Sequence, residues 1–173
     1  MSMSLSGWIE CKTFDEDEWS SAINIKAVAD LYSIAELVGL RSSKFKPIVP
    51  IRSLPSDASY QVKENYAMDT EDIKMWKSLR KMLIKEFKKS TLPHPNVIYG
   101  SEEIQKFILD YLSKTNKSNC TWIIYDEFKK INLNNYFNKK ESIKECKLIF
   151  RLMKALSDRY GNKNVRLIIW YNY

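Results

Sequence analysis

The segment from Val165 to Tyr171 constrains the fold more than any other part of this sequence. It is a nearly unbroken apolar run, Val-Arg-Leu-Ile-Ile-Trp-Tyr, and it is rich in residues that favour strands. Such a run is typical of a strand that lies in the middle of a sheet and is covered on both faces. We therefore predict an interior strand here, with other elements packed above and below it.

The rest of the chain alternates between strand and helix patterns. Strands are predicted at residues 8–14, 97–99 and 120–124. Apolar residues at helical spacing predict amphipathic helices at residues 24–39, from Asp69 or Thr70 to about Lys89, after Ser101, at 125–131 and at 138–161. We predict an α/β fold, with a mixed α+β arrangement left open, in which a central sheet is flanked by several amphipathic helices in a single domain spanning residues 1–173.

The composition is typical of a folded protein from a reducing compartment. Apolar residues make up 45% and aromatic residues 13% of the 173 residues, enough to bury a core without disulfides or metals. Three scattered cysteines, with no Cys-x-x-Cys pair among them, favour free thiols. The first residues lack the pattern of a signal peptide, and no apolar stretch reaches membrane-spanning length. We expect a cytoplasmic protein without a membrane segment.

A formal charge of +7 favours anionic partners such as nucleic acid, nucleotides or acidic protein faces, although it could also serve solubility alone. The strongest electrostatic feature is a stripe along one edge of the helix that ends near residue 89: Lys74, Lys77, Lys81, Lys85 and Lys88. Lysines in such a row can follow phosphates, which makes a nucleic-acid-binding module one hypothesis. The alternative is the solvated side of an ordinary amphipathic helix.

Three prolines exclude a helix between residues 41 and 59, and the apolar side chains there predict an ordered loop. Within it, the segment from Arg52 to Ser59 places an arginine, an aspartate and serines around a proline turn. One hypothesis is that Arg52, Asp57 and Ser59 present polar groups to an anionic ligand at the edge of the sheet. The alternative is that Asp57 and Ser59 bind the backbone amides of the loop itself.

The sequence offers little catalytic chemistry. Its one histidine, His94, lies between two prolines, without the second histidine or spaced carboxylate pair that a hydrolase or metal site would use. Four glycines do not build a phosphate-binding loop, and no nucleophile elbow is present. We therefore expect no metal and no cofactor. A metal-dependent enzyme that uses Asp57, Asp126 or Glu127 is the least favoured hypothesis.

Several of these segments resemble a small, largely uncharacterised protein family of phages, prophages and bacteria. Arg52 to Ser59 is similar to its Arg-Gly-Leu-Pro-x-Asp-x-Ser motif. Residues 38–41, 121–128 and 164–172 resemble further segments of the family in the same order. Two histidine motifs of the family are replaced here by Gly-Trp-Ile-Glu at 7–10 and Lys-Ser-Asn-Cys at 117–120. The resemblance implies a phage-type accessory protein. If the histidines of the relatives bind a metal or act as acids and bases, this chain lacks those groups.

The resemblance extends the loop hypothesis to further residues and to partners. The candidate ligand-binding residues are Arg41, Arg52, Asp57, Ser59, Trp122 and Arg166. The leading hypothesis is a non-catalytic binder of an anionic small molecule or of a host defence protein, with a counter-defence role in the host cytoplasm. Nucleic-acid binding through the lysine stripe is the second hypothesis, and homo-oligomer formation is left open.

Overall fold

A four-stranded sheet forms the centre of the computed structural model, which describes residues 4–13, 17–27, 29, 31–40, 46–70, 73–89, 102–114, 119–137 and 140–172. The strands are β1 (Ser4–Lys12), β2 (Trp19–Asn24), β3 (Cys120–Ile124) and β4 (Val165–Asn172). They lie in the order β2-β1-β4-β3, and each neighbouring pair is antiparallel. The predicted central sheet is confirmed, in the mixed α+β form that the sequence left open.

The strand β4 is the interior strand that the sequence predicts. It pairs with β1 on one side and with β3 on the other, and residues 165–170 are all buried. Successive side chains of a strand point to opposite faces. Leu167 and Ile169 accordingly belong to the core on one face of the sheet, whereas Ile168 and Trp170 belong to the core on the other. Burial on both faces explains the apolar run.

Six α-helices are described, and they cover both faces of the sheet: α1 (Tyr32–Leu37), α2 (Tyr60–Asp69), α3 (Ile73–Lys89), α4 (Glu102–Lys114), α5 (Tyr125–Phe128) and α6 (Lys140–Tyr160). α1, α5 and α6 pack on the side of Leu167, which we call the α6 face. α2, α3 and α4 pack on the side of Trp170, which we call the α3 face. Both sides of the sheet are therefore covered by helices, as the sequence predicts.

Most of the predicted elements are confirmed, with shifts at their ends: α3, α4, α5, α6, β1, β3 and an irregular loop over residues 46–59. The predicted start of α3 is wrong, because Asp69 is the last residue of α2 and Thr70 is the C-cap of that helix. Gly39 and Gly161 have φ angles of 76° and 94° and follow α1 and α6, as predicted, because glycine takes this conformation with little strain. The strand predicted at 97–99, His94 and the helix cap predicted at Asn138 lie outside the described residues.

The helix predicted from residue 24 to residue 39 is wrong over its first half. Residues 19–24 form β2, residues 25–27 form a short 3₁₀ turn, and the α-helix covers only Tyr32–Leu37. Tyr32, one of the residues whose helical spacing led to this prediction, is 44% exposed. Pairing with β1 supplies β2 with hydrogen bonds that no local pattern can show, and this tertiary contact overrides the helical spacing.

The helix α2 was not predicted. Its apolar residues do not gather into one clear stripe, which is the signal that identifies an amphipathic helix. Val62, Tyr66 and Ala67 are nevertheless buried in the core of the α3 face. Ser59 caps the first turn by accepting a hydrogen bond from the N–H of Val62. Tertiary packing and this cap hold the helix in place.

Candidate functional site

The proline loop (residues 46–59) lies along β3. The N–H of Ser53 donates to the carbonyl of Cys120 at 3.1 Å. The hydroxyl of Thr121 donates to the carbonyl of Pro50 at 3.1 Å and accepts from the N–H of Arg52 at 3.3 Å. Ser53 has a left-handed φ of 62°, an uncommon conformation for a residue with a side chain. The loop is thereby fixed against the sheet instead of extending freely into solvent.

A buried ion pair lies under this loop. Glu10 of β1 and Arg166 of β4 are cross-strand neighbours, and their side chains are 0% and 3% exposed. Arg166 Nε donates to Glu10 Oε2 at 2.8 Å, while Arg166 Nη2 lies 2.8 Å from the same oxygen without the alignment of a hydrogen bond. Glu10 Oε1 accepts from the N–H of Ser59 at 2.7 Å, and Arg166 Nη1 donates to Asp57 Oδ1 at 2.8 Å. The pair therefore ties the loop to the sheet.

Two tryptophans and two arginines alternate in a column that includes Arg166 of this pair. Arg166 Cζ lies 3.8 Å from the ring centre of Trp19 and 6.0 Å from that of Trp122. Arg52 Cζ lies 4.6 Å from the ring centre of Trp122. The indole N–H of Trp19 donates to Asp57 Oδ2 at 2.9 Å. Cation–π contacts of this kind add to the ion pairs in fixing both guanidinium groups.

Arg52 is held by Glu127 through two parallel hydrogen bonds. The Nη1–Oε2 distance is 2.8 Å and the Nη2–Oε1 distance is 2.6 Å, and the two side chains are 21% and 34% exposed. The hydrogen bond from Arg52 lowers the pKa of Glu127 and outweighs the opposing effect of burial. The same hydrogen bond raises the pKa of Arg52. Both terminal nitrogens of this guanidinium thus donate to the same carboxylate.

Asp57 is the most exposed carboxylate at this site, with 59% of its side chain accessible. Burial acts to raise the pKa of Asp57, but the hydrogen bond and charge of Arg166, together with the hydrogen bond from Trp19, outweigh it and lower this pKa. The carboxyl therefore stays ionised near neutral pH and accepts from both side chains.

We refer to the five charged side chains at this site as the arginine corner: Glu10, Arg52, Asp57, Glu127 and Arg166. Three carboxylates face two guanidinium groups, so the formal charge of the arginine corner is −1. Each guanidinium donates to a carboxylate of the chain itself. An incoming anion would therefore meet carboxylates that already accept hydrogen bonds from both arginines.

Five of the six candidate ligand-binding residues meet in or beside the arginine corner: Arg52, Asp57, Ser59, Trp122 and Arg166. The sixth, Arg41, lies outside the described residues. The Ser59 side chain binds a backbone amide, as the alternative interpretation has it, but this amide belongs to Val62 of α2 and not to the loop itself. Asp57 binds the side chains of Arg166 and Trp19. The predicted residues converge in space, although their contacts are mainly with one another.

Two residues of this site were missed by the sequence reasoning. Glu10 lies between Ile9 and Cys11 in a predicted strand, and a charged residue inside a buried strand signals a paired partner elsewhere in the chain. That signal was available and was not used. Trp19 was missed because β2 was not predicted, so no local pattern placed its ring next to Arg166.

The lysine stripe of α3 differs from the arginine corner in its exposure and in its pairing with carboxylates. We refer to its four described side chains as the lysine face: Lys77, Lys81, Lys85 and Lys88. All four are exposed, and none of them forms an ion pair with another residue that the structure describes. The side chain of Lys74 lies outside the described part.

Seven basic residues and one acidic residue give Ile73–Lys89 a formal charge of +6, nearly the whole excess of the chain. Met75 and Leu79, on another side of the helix, are buried.

The described residues offer no metal site and no membrane span. No three histidine, cysteine, aspartate or glutamate side chains among them come together to hold a metal ion, and none of their helices is long and apolar enough to cross a membrane. Cys11, Cys120 and Cys146 are buried and form no disulfide. Burial raises the pKa of Cys146 to about 12, so its thiol stays protonated near neutral pH.

In comparisons with known proteins, no family model, no curated protein and no solved structure matches this chain. The resemblance to the phage family therefore stays a prediction, as do the ligand-binding roles that it implies for Arg41, Trp122 and Arg166. Function has to be inferred from the charges and contacts of the arginine corner and the lysine face.

Proposed function

We propose that this protein is a non-catalytic binder of nucleic acid and that the lysine face of α3 is the surface that engages the phosphate backbone. One observation carries the proposal: the lysines are exposed without carboxylate partners among the described residues, whereas both arginines of the proline loop region are neutralised. Free cations attract phosphates because binding releases the counterions that surround a nucleic acid.

The spacing of the lysine face suits this role. Lys77 and Lys88 are eleven residues apart on one helix, which corresponds to about 16 Å along its axis. Each strand of duplex DNA carries one charge per about 3.4 Å of its axis, so the lysines span roughly four or five phosphates. Lysine carries a point charge on a flexible stem and offers no planar fork for reading base edges. We therefore expect binding that depends on salt and little on sequence.

The anionic-ligand hypothesis for the proline loop receives less support. Glu127 occupies both terminal nitrogens of Arg52, and Arg166 is buried against Glu10. An anion that took the place of Glu127 would have to break this bidentate pair, which costs hydrogen bonds to charged groups. The accessory role in a phage and the host defence protein as partner rest on the motif resemblance and remain predictions.

A binding assay with matched variants tests the proposal. Fluorescence anisotropy with short duplex DNA, single-stranded DNA and RNA would be measured between about 50 and 200 mM salt. The variant K77E/K81E/K85E should bind each probe more than tenfold more weakly, and the salt slope of its logarithmic binding constant for duplex DNA should be about 2.7 shallower. The control K26E/K46E/K163E changes three exposed lysines away from α3 and should retain most of the affinity.

Two results would contradict the proposal. If both triple variants lose the same affinity, the overall charge is responsible and the lysine face is not a site. If Arg52→Ala abolishes binding while K77E/K81E/K85E does not, the ligand binds at the proline loop.

A further inference from the structure

A second group of cations lies on the other face of the sheet. The helix α6 and the short 3₁₀ turn Leu133–Asn135 line an open groove of about 400 Å³. Its lining residues are Asn134, Lys140, Ile143, Lys144, Lys147 and Arg151. The four cations recur every three or four residues, which places them on one side of the helix. Neither the sequence pattern of α3 nor the proposed function accounts for this groove.

The cations of the groove have no carboxylate among the residues that line it. Within the described ranges, Lys140, Lys144, Lys147 and Arg151 form no ion pair. The next basic residue of the same helix behaves differently, since Lys154 Nζ lies 2.6 Å from Asp158 Oδ2. Like charges three or four residues apart on a helix repel one another. The four cations of the groove therefore remain without a carboxylate partner, whereas the adjoining Lys154 of the same helix has one.

The shape of the groove distinguishes it from the lysine face. Its volume of about 400 Å³ falls within the range of small-molecule sites, roughly 300–1,000 Å³. Asn134 adds a neutral amide from the 3₁₀ turn, whose Asn132 side chain accepts from the backbone N–H of Asn134 and so fixes the turn. Ile143 is partly buried and adds an apolar wall. A concave site of this size suits a compact ligand better than a long strand.

We propose that this groove binds a compact polyphosphate, the chemistry shared by a nucleoside triphosphate and an inorganic polyphosphate chain. Arg151 can grip one phosphate through its planar fork, while Lys144 and Lys147 neutralise the others as point charges. Successive cations lie about 4.5–6 Å apart along the helix axis, and their flexible stems allow them to converge on one ligand. The proposal goes beyond the proposed nucleic-acid function because it concerns another ligand on the opposite face of the sheet.

Calorimetric titration of the full chain tests this inference with three probes: sodium tripolyphosphate, ATP and orthophosphate. Tripolyphosphate should bind saturably with one site per chain, and orthophosphate should bind at least tenfold more weakly because it engages fewer cations. ATP that binds more tightly than tripolyphosphate would identify a nucleotide as the ligand, and equal binding would identify the phosphate chain itself. Absence of saturable binding by both tripolyphosphate and ATP, or binding of ATP alone, would overturn the inference.

Matched variants locate the site. K144A/K147A should weaken tripolyphosphate binding at least tenfold, and alanine preserves the helix because it is the strongest helix former. The control K154A/K163A removes the same charge outside the groove and should change the affinity less than twofold. An equal loss in both would overturn the inference. The variant K77E/K81E/K85E should retain tripolyphosphate binding. If this variant loses it, the groove is not a site separate from the lysine face. Failure of DNA binding alone would contradict the proposed function and leave the groove intact.

Discussion

The arginine corner and the lysine face carry basic residues for different purposes. At the corner, Arg52 and Arg166 are fixed by carboxylates and by tryptophan rings, and Arg166 is withdrawn from water. On α3, the lysines extend into solvent, where no described carboxylate meets them. A charge that is paired inside a fold affects the stability of the fold and the way its elements are aligned. An unpaired charge on the surface affects association with partners. The net charge of a chain therefore does not say where its binding surface lies.

The largest expected effect is on the buried pair. Arg166→Ala leaves the carboxylate of Glu10 buried without its partner, and we expect the free energy of unfolding to fall by about 3–5 kcal/mol. The double variant Glu10→Leu with Arg166→Met removes both charges and should recover most of that loss. Urea denaturation followed by circular dichroism measures both. A single variant that loses less than about 1 kcal/mol would show that this pair is not a structural element.

A smaller effect is expected for the exposed half of the corner. Arg52→Ala removes two hydrogen bonds to Glu127 at a site that water partly screens, and we expect a loss of about 1 kcal/mol. Arg52→Lys keeps the charge without the planar fork, and its free energy of unfolding should lie between those of the unmodified protein and Arg52→Ala. The same urea titrations, combined with Glu127→Gln in a double-mutant cycle, give the coupling between the side chains. A loss as large as that of Arg166→Ala would show that the corner acts as one unit.

The pH dependence of stability should reflect the same pair. The pKa of Glu127 is lowered in the folded state from its ordinary value of 4.5, so its contribution is complete above that value and disappears as the pH falls through the folded-state pKa. As the pH is lowered below about 4.5, the urea concentration at the unfolding midpoint should therefore decrease. The decrease should be less steep for Glu127→Gln than for the unmodified protein. Identical slopes for the two proteins would rule out a stabilising role for the ionised pair.

The smallest effect on stability is expected at the lysine face. K81A/K85A removes two exposed cations that have no described partner, and the free energy of unfolding should change by no more than about 0.5 kcal/mol. The same variant should bind duplex DNA more weakly, because two phosphate contacts are lost. Thermal unfolding and anisotropy titration of one preparation provide both values. A large loss of stability would place the lysine face in the same class as the arginine corner and remove the contrast between them.

The sequence by itself determined the elements whose signal is local. The apolar run of β4 shows burial on both faces, and the stripes of α3, α4 and α6 show which side of each helix is buried. The loop pattern identified Arg52, Asp57 and Ser59 as candidates, and the family resemblance added Trp122 and Arg166. These five residues lie in or beside the arginine corner. The lysine face was visible for the same reason, since its spacing is a property of one helix.

Only the tertiary structure decided the elements and the pairings that depend on distant residues. β2 exists because β1 supplies its hydrogen-bond partners, and α2 is held by the core that it packs against. Glu10 and Arg166 are 156 positions apart, yet they form the buried ion pair of the arginine corner. Whether a charge is paired or free depends on which carboxylate the fold brings within hydrogen-bonding distance, and a local pattern holds no information about that distance.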